Sequence, residues 1–250
     1  MCYDIALNAN LQRILKSVPL LKTAGNLDLN FDTTYHKIGM SFPQWPVIVN
    51  NNGLKVDKYT WGPVPKLLDT LEKVKRQRQM YLNARSEKVL ESGTMWNAIR
   101  HQRCLIPVTG FFEYRQIPEW KNKVAYYIHS KEQDVFLIAG LWAYSNSWDV
   151  DKPERIPTFT LLTRAANPVM RQIHNGGDNA GRMPLMLPNE LALQWIEKDV
   201  TETDIRNIIQ YEYPAEQLEY WPVNSVRKVK PDDETVIARA LYEGLPELSL

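Results

Sequence analysis

Cysteine is scarce in this sequence of 250 residues, which contains only Cys2 and Cys104. Two cysteines this far apart cannot supply the disulfide framework of a small secreted protein. Together with four scattered histidines, they also match no zinc-ligand spacing. The sequence therefore predicts no disulfide, no metal site and no cofactor.

Long apolar runs and an excess of one charge are also missing. Polar residues, including Asp4, Arg13 and Lys16, interrupt the first twenty positions, so neither a signal peptide nor a bilayer-spanning segment is expected there. Thirty basic and 29 acidic side chains leave a net charge of +1, so any DNA contact needs a local basic patch. We expect a cytoplasmic protein with no membrane partner.

Internal repeats, low-complexity tracts and linkers rich in glycine, proline or serine are not found. An apolar fraction of 44% and a charged fraction of 24% are typical of globular proteins, and the length is at the upper end for one domain. Strand-like and helical segments mix without a regular βαβ order. This pattern predicts one α+β domain over residues 1–250, with antiparallel sheets.

The expected elements follow from periodicity and turn chemistry. Asn167 followed by Pro168 is typical of a helix start, and Asn189 is expected to cap a later helix. The turn-forming run at 50–53 predicts a hairpin. The other predicted helices lie over 11–21, 67–81 and 95–101. The predicted strands lie over 2–7, 46–49, 104–108, 111–114, 124–128, 135–143, 159–163 and 221–224.

The start of the chain, Met1-Cys2, carries the most chemistry. Removal of Met1 would leave Cys2 with a free α-amine beside its thiol, with ordinary pKa values of about 8 and about 8.5. The amine can form a Schiff base with an aldehyde, and the thiolate can close onto the same carbon to give a thiazolidine. The alternative is a cysteine that serves only for packing.

Three other polar strings stand in apolar or turn-like surroundings. They are N-A-R-S-E at 83–87, G-F-F-E-Y at 110–114 and I-H at 173–174. Glu113 in the second string is also compatible with a polar strand face turned to solvent. His174 is equally compatible with a structural role. None of these strings is specific alone.

Together and in this order, Cys2 and these strings resemble the SOS-response-associated peptidase (SRAP) family, which joins itself covalently to abasic sites in single-stranded DNA. Further matching strings run from residue 2 to about Val223, and the tail at 231–250 lies beyond them. They are W-G-P-V-P at 61–65, R-C-L-I-P at 103–107, L-L-T-R-A-A-N at 161–167 and R-M-P at 182–184. The resemblance implies one compact domain of twisted, mainly antiparallel, open-barrel-like sheets with packed helices and a DNA-binding cleft.

The resemblance also implies roles for four catalytic residues. Cys2 would attack the ring-opened aldehyde of the abasic sugar, and Asn83 would hydrogen-bond the sugar or the Cys2 end. Glu113 would hold the α-amine and move its proton, with a pKa that burial would raise. His174 would protonate the sugar ring oxygen and so open the closed hemiacetal.

Four DNA-binding residues follow in the same way. Arg85 would clamp a phosphate, and Arg182 would add a second cationic contact. Trp61 and Pro43 would offer flat faces for bases, a contact worth roughly 1–3 kcal/mol per base. Core packing is the alternative for Trp61. The basic run at 227–230 is either a phosphate contact or solvated surface.

The chain departs from the family pattern in three places. Asp4 stands where the family commonly has arginine, and Tyr114 stands where tryptophan is frequent. Residues 175–181 form an insertion between His174 and Arg182, which we expect to be flexible and to gate the cleft. None of these changes removes a reacting group.

The function implied is an abasic-site processing protein of an SOS-type damage response. It would cross-link single-stranded DNA through Cys2 after removal of Met1, by itself or by a host aminopeptidase, and act as a monomer. The alternatives that the residues leave open are an N-terminal cysteine peptidase or amidohydrolase, an abasic-site lyase and a non-catalytic single-stranded DNA binder.

Overall fold

The computed structural model describes residues 2–19, 21, 32–64, 70–146 and 154–249. Met1, Pro65 of the W-G-P-V-P string and part of the helix predicted over 67–81 lie outside the described residues.

Within the described residues the structure contains six α-helices and thirteen strands. The helices are α1 Leu11–Ser17, α2 Leu71–Met80, α3 Met95–Ala98, α4 Pro168–Ile173, α5 Asn189–Ile196 and α6 Glu202–Ile209. The strands are β1 Asp4–Leu7, β2 Thr34–Ile38, β3 Gln44–Asn50, β4 Leu54–Trp61, β5 Asn83–Arg85, β6 Arg103–Val108, β7 Gly110–Arg115, β8 Val124–Ser130, β9 Phe136–Asn146, β10 Arg155–Ala165, β11 Arg182–Pro184, β12 Met186–Leu187 and β13 Leu218–Val223.

Five strands close into a barrel in the order β10-β4-β3-β6-β9, because β9 pairs with β10 again. The β10–β4 pair is parallel, and the other four pairs are antiparallel. The α+β class with mainly antiparallel pairing is confirmed. The barrel is closed rather than open as expected, because β10 pairs with β4 along one edge and with β9 along the other.

The second sheet has the order β13-β8-β7-β1-β2, and all of its pairs are antiparallel. Its side chains alternate between two cores. Ile5 and Phe111 join the main core, whereas Ala6 and Phe112 join a smaller core that includes Val236 from the C-terminal segment. The sheet is therefore covered on both faces.

Two helix starts show how well local chemistry predicts boundaries. α4 begins as expected, because Asn167 Oδ1 accepts a hydrogen bond from the Met170 amide and Pro168 is the first helical residue. The cap of α5 is wrong by one position: Pro188 is the N-cap, and Asn189 is already helical. The Asn189 side chain instead donates to the carbonyl of Ser17.

The predicted hairpin at 50–53 is confirmed as the β3–β4 connection. Asn52 and Gly53 have φ angles of 59° and 114°. Asparagine and glycine tolerate this left-handed region better than other residues. The turn therefore forms where the sequence provides the residues that it needs.

Candidate active site

β10 positions two of the strings that carry the family resemblance, N-A-R at 83–85 and R-M-P at 182–184. It pairs with β5 in parallel, so Thr163 lies beside Arg85, and with β11 antiparallel, so Ala165 lies beside Arg182. The N-A-R string and the R-M-P string are thereby fixed to one strand, although about a hundred positions separate them. α4 leads His174 to the end of this assembly.

The Cys2 main chain is held by Asn83. The Asn83 side-chain amide donates a 2.9 Å hydrogen bond to the Cys2 carbonyl, and Cys2 is only 1% exposed. Asn83 Oδ1 is buried and accepts no hydrogen bond from the described residues. The asparagine predicted to fix the Cys2 end is therefore bonded to it, with one acceptor still available.

Glu113 and His174 form a buried acid–base pair. His174 Nε2 lies 3.8 Å from Glu113 Oε2, and the two residues are 5% and 2% exposed. Alternation along β7 puts Glu113 on the same face as Phe111, which belongs to the main core. The solvent-facing alternative for Glu113 is therefore wrong, because this face of the strand is covered.

The Arg182 main chain orients the ring of His174. Its Nδ1 lies 2.8 Å from the carbonyl oxygen of Arg182, which can only accept a hydrogen bond, and 3.3 Å from the Arg182 amide, which can only donate one. The shorter contact favours a proton on Nδ1, which leaves Nε2, facing Glu113, as the acceptor. A histidine in this form receives a proton at Nε2 rather than donating one.

Burial shifts both groups away from their ordinary protonation. It raises the pKa of Glu113 from 4.5 to about 7 and lowers the pKa of His174 from 6.5 to about 4. At neutral pH Glu113 is thus partly protonated and His174 is neutral, so their contact is not an ion pair. The expected proton donor, His174, therefore lacks the extra proton at neutral pH, and Glu113 is the group of the pair that has one to donate.

Burial also moves the pKa of the Cys2 thiol away from the value expected for an exposed cysteine. Burial, and secondly the charge of Glu113, raise the pKa of Cys2 well above its usual value. The sulfur is therefore a neutral thiol at pH 7 and not the thiolate that an exposed cysteine would partly provide. A nearby base must accept its proton when it reacts.

A cavity of about 190 Å³ opens beside the acid–base pair. Cys2, which is 1% exposed, is not among the residues that line it. The residues that line this cavity include Tyr3, Asp4, Glu113, Lys123, His174 and Arg227. Of these, Tyr3, Asp4, Lys123 and Arg227 were not predicted as site residues. Two of them had a signal in the sequence: Asp4 departs from the family pattern, and Arg227 belongs to the basic run at 227–230.

The insertion at 175–181 forms one edge of the cavity through Gly176. The Asn175 side chain accepts from the Gln116 amide at 2.7 Å and donates to the Gln116 carbonyl at 2.9 Å. Lys123 Nζ donates to the Gly176 carbonyl, and the Gly181 amide donates to the His174 carbonyl. The insertion is therefore fastened to the loop between β7 and β8.

The two predicted DNA-binding arginines have different surroundings. Arg85 is exposed, and its guanidinium donates to Asn179 Oδ1 at 3.1 Å. Arg182 makes two hydrogen bonds to the Glu87 carboxylate, at 2.6 and 2.9 Å, and others to Thr163. The guanidinium of Arg182 is thus engaged within the protein, whereas Arg85 has an exposed side chain.

Trp61 and Pro43 do not join the site. Trp61 is 0% exposed, its indole N–H donates to the Leu82 carbonyl at 2.7 Å, and its ring stacks on Phe159. The core alternative is therefore correct for Trp61, and its ring offers no face to a base. Pro43 is partly exposed and lines a different cavity, together with Trp45.

The described residues contain no group of three or more histidine, cysteine or acidic side chains placed to hold a metal ion. None of the helices in the described ranges is long and apolar enough to cross a membrane.

Comparison with known proteins adds independent information. A family model described as SOS response associated peptidase (SRAP) matches residues 1–229. "Abasic site processing protein YoqW" from Bacillus subtilis is 26% identical over 180 residues, which is 72% of this chain and 74% of the relative. "Abasic site processing protein HMCES" from Gallus gallus is 26% identical over 197 residues, or 69% of this chain and 54% of the relative. A solved structure of a Bacteroides thetaiotaomicron protein has a TM-score of 0.80 at 25% identity, covering 96% of this chain and all of that one.

Proposed function

The chain belongs to the SOS response associated peptidase (SRAP) family, and on that basis we propose that it processes abasic sites in single-stranded DNA by covalent capture at Cys2. The observation that carries the proposal is the buried Glu113–His174 pair beside the cavity, with the Cys2 main chain held by Asn83. The names of the relatives, which describe abasic-site processing, support the same substrate.

The first step is the opening of the abasic sugar. Neutral His174 accepts the proton of the sugar C1 hydroxyl at Nε2, and protonated Glu113 donates its proton to the ring oxygen. The bond between C1 and the ring oxygen breaks, and C1 becomes an aldehyde. The pKa of about 7 for Glu113 makes the protonated carboxyl available near neutral pH.

The capture steps follow at the same carbon. After removal of Met1, the Cys2 amine attacks the aldehyde, and loss of water gives a Schiff base. The sulfur then adds to the imine carbon, and its proton passes to the Glu113 carboxylate. The imine nitrogen takes the proton that His174 accepted in the first step, which completes the thiazolidine and returns both groups to their starting states. Asn83 fixes the Cys2 carbonyl and so limits the directions from which amine and thiol approach.

The proposal is tested by mixing the protein with a single-stranded oligonucleotide that carries one abasic site and following the adduct on a denaturing gel. We expect a stable adduct for wild type, none for Cys2→Ala, and formation slowed at least about 100-fold for Glu113→Gln, the usual cost of removing an acid–base group. Cys104→Ala, which removes the other buried cysteine, is the matched control and should react like wild type.

Other outcomes would replace the proposal. Strand scission with turnover and no lasting adduct would indicate a lyase. Binding that is unchanged in Cys2→Ala, without an adduct in wild type, would indicate a non-catalytic binder. Absence of both binding and adduct, with a free Cys2 amine confirmed by intact mass, would direct attention to peptides and small amides.

A further inference from the structure

Asp4 is a buried carboxylate with three partners at the edge of the cavity. It is 1% exposed, and its Oδ1 lies 2.7 Å from His36 Nε2. Its Oδ2 accepts hydrogen bonds from the Tyr114 hydroxyl at 3.1 Å and from the Arg227 guanidinium at 3.2 Å. Asp4 therefore fixes the position of an arginine that comes from the other end of the sequence.

Arg227 is bonded to Asp4 and Tyr114 and is open elsewhere. Its side chain is 50% exposed, its guanidinium donates to Asp4 Oδ2, and the Tyr114 hydroxyl is its second side-chain partner. A guanidinium has five N–H donors in a rigid fork. Because Arg227 also lines the cavity beside Glu113 and His174, its unused donors are available at the mouth of the site.

From this geometry we infer that Arg227, positioned by Asp4 and Tyr114, binds a phosphodiester group of the DNA strand next to the abasic sugar. The inference rests on the proposed function and deepens it by assigning a specific phosphate-binding residue.

The buried Asp4 carboxylate needs a charged partner, and Arg227 is one. This pairing leaves other N–H donors of Arg227 unused, on a side chain that is half exposed. Both residues line the cavity, but the Asp4 side chain is 2% exposed and that of Arg227 is 50% exposed, so an incoming anion meets the guanidinium first. Lys123 is also exposed and lines the same cavity, so it adds a second positive charge there.

The test measures binding without chemistry, using single-stranded DNA that carries a tetrahydrofuran abasic analogue, which has no aldehyde. We compare Arg227→Gln, Arg227→Lys and the control Arg239→Gln by fluorescence anisotropy over a range of salt concentrations. Arg239 is a matched control, because it is an exposed arginine paired with Glu219 and lies outside the cavity.

For Arg227→Gln we expect a Kd about 10-fold higher than that of wild type at low salt. The slope of log K against log salt should be shallower by about 0.7, because one phosphate contact with the single strand is lost. Arg227→Lys should keep the slope, because it keeps the charge, and should recover part of the affinity. Arg239→Gln should match wild type in both.

Two results would overturn the inference. If Arg227→Gln binds the analogue with unchanged Kd and slope while wild type still forms the adduct with a true abasic site, the inference fails alone. If wild type neither binds the analogue nor forms the adduct, the proposed function fails and the inference fails with it.

Discussion

At the scale of single residues, burial decides what each group of the site can do. Burial raises the pKa of Glu113 from 4.5 to about 7 and lowers the pKa of His174 from 6.5 to about 4, so the usual order of the two is reversed. The buried carboxyl becomes a proton donor near neutral pH, and the imidazole becomes an acceptor. The residue types were predictable from the sequence, but their protonation depends on long-range packing.

Replacing Glu113 should change stability in a pH-dependent way. The folded-state pKa of Glu113 is raised, so the folded protein binds more protons between about pH 4.5 and pH 7, and wild-type stability falls as pH rises through that window. Glu113→Gln lacks this cost. The free energy of unfolding of the variant minus that of wild type should therefore be about 1–3 kcal/mol larger at pH 8 than at pH 4.5. Urea unfolding at the two pH values measures this. An equal stability difference between variant and wild type at the two pH values would show that the pKa of Glu113 is not raised.

Replacing Trp61 should affect the fold and leave DNA capture intact. Trp61→Phe loses the hydrogen bond to the Leu82 carbonyl and leaves space beside Phe159, at a cost of about 1–3 kcal/mol. Thermal unfolding should show the loss, and the rate of adduct formation well below the melting temperature should stay within about two-fold. Unchanged stability with a much slower rate would restore Trp61 as a DNA contact.

At the scale of elements, β10 and the insertion at 175–181 determine the shape of the site. β10 carries both β5 and β11, so the strings around Asn83 and Arg182 share one support. The insertion is fastened to the β7–β8 loop at Gln116 and Lys123. Any gating motion must therefore break identifiable hydrogen bonds.

Asn175→Ala should release the insertion. The variant removes both hydrogen bonds to the Gln116 main chain, so hydrogen exchange of the Gln116 amide should become at least about 10-fold faster, and stability should fall by about 1–2 kcal/mol. Asp178→Ala is the control, because Asp178 is exposed in the same segment and makes no hydrogen bond to the described residues. Unchanged exchange at Gln116 in Asn175→Ala would contradict this account of the insertion.

The elements also show where sequence reasoning succeeds. The start of α4 and the β3–β4 turn were predictable, because capping and left-handed turn positions depend on a few adjacent residues. The closure of the barrel was not, because the pairing of β10 with β4 joins residues about a hundred positions apart. The Asp4–Arg227 contact is hidden for the same reason.

At the scale of the whole molecule, charge is balanced, and the cations near the candidate site form a local group. The net charge is +1, whereas Lys123 and Arg227 line the cavity and Arg85 bonds to the neighbouring insertion. If each of these three cations contacts one phosphate, we expect a slope of about −2 for log K against log salt with single-stranded DNA. A slope near zero, or one steeper than about −5, would show that other surfaces carry the binding.

The central claim is that both reactive atoms of Cys2 bind the same carbon of the abasic sugar. The most direct measurement is tandem mass spectrometry of the N-terminal peptide after the protein–DNA adduct is formed, treated with iodoacetamide and digested. The account predicts a peptide that begins at Cys2, retains the sugar remnant and is not alkylated at sulfur, because a thiazolidine occupies the amine and the thiol together. A sugar-bearing peptide with an alkylated Cys2, or one that still carries Met1, would contradict it.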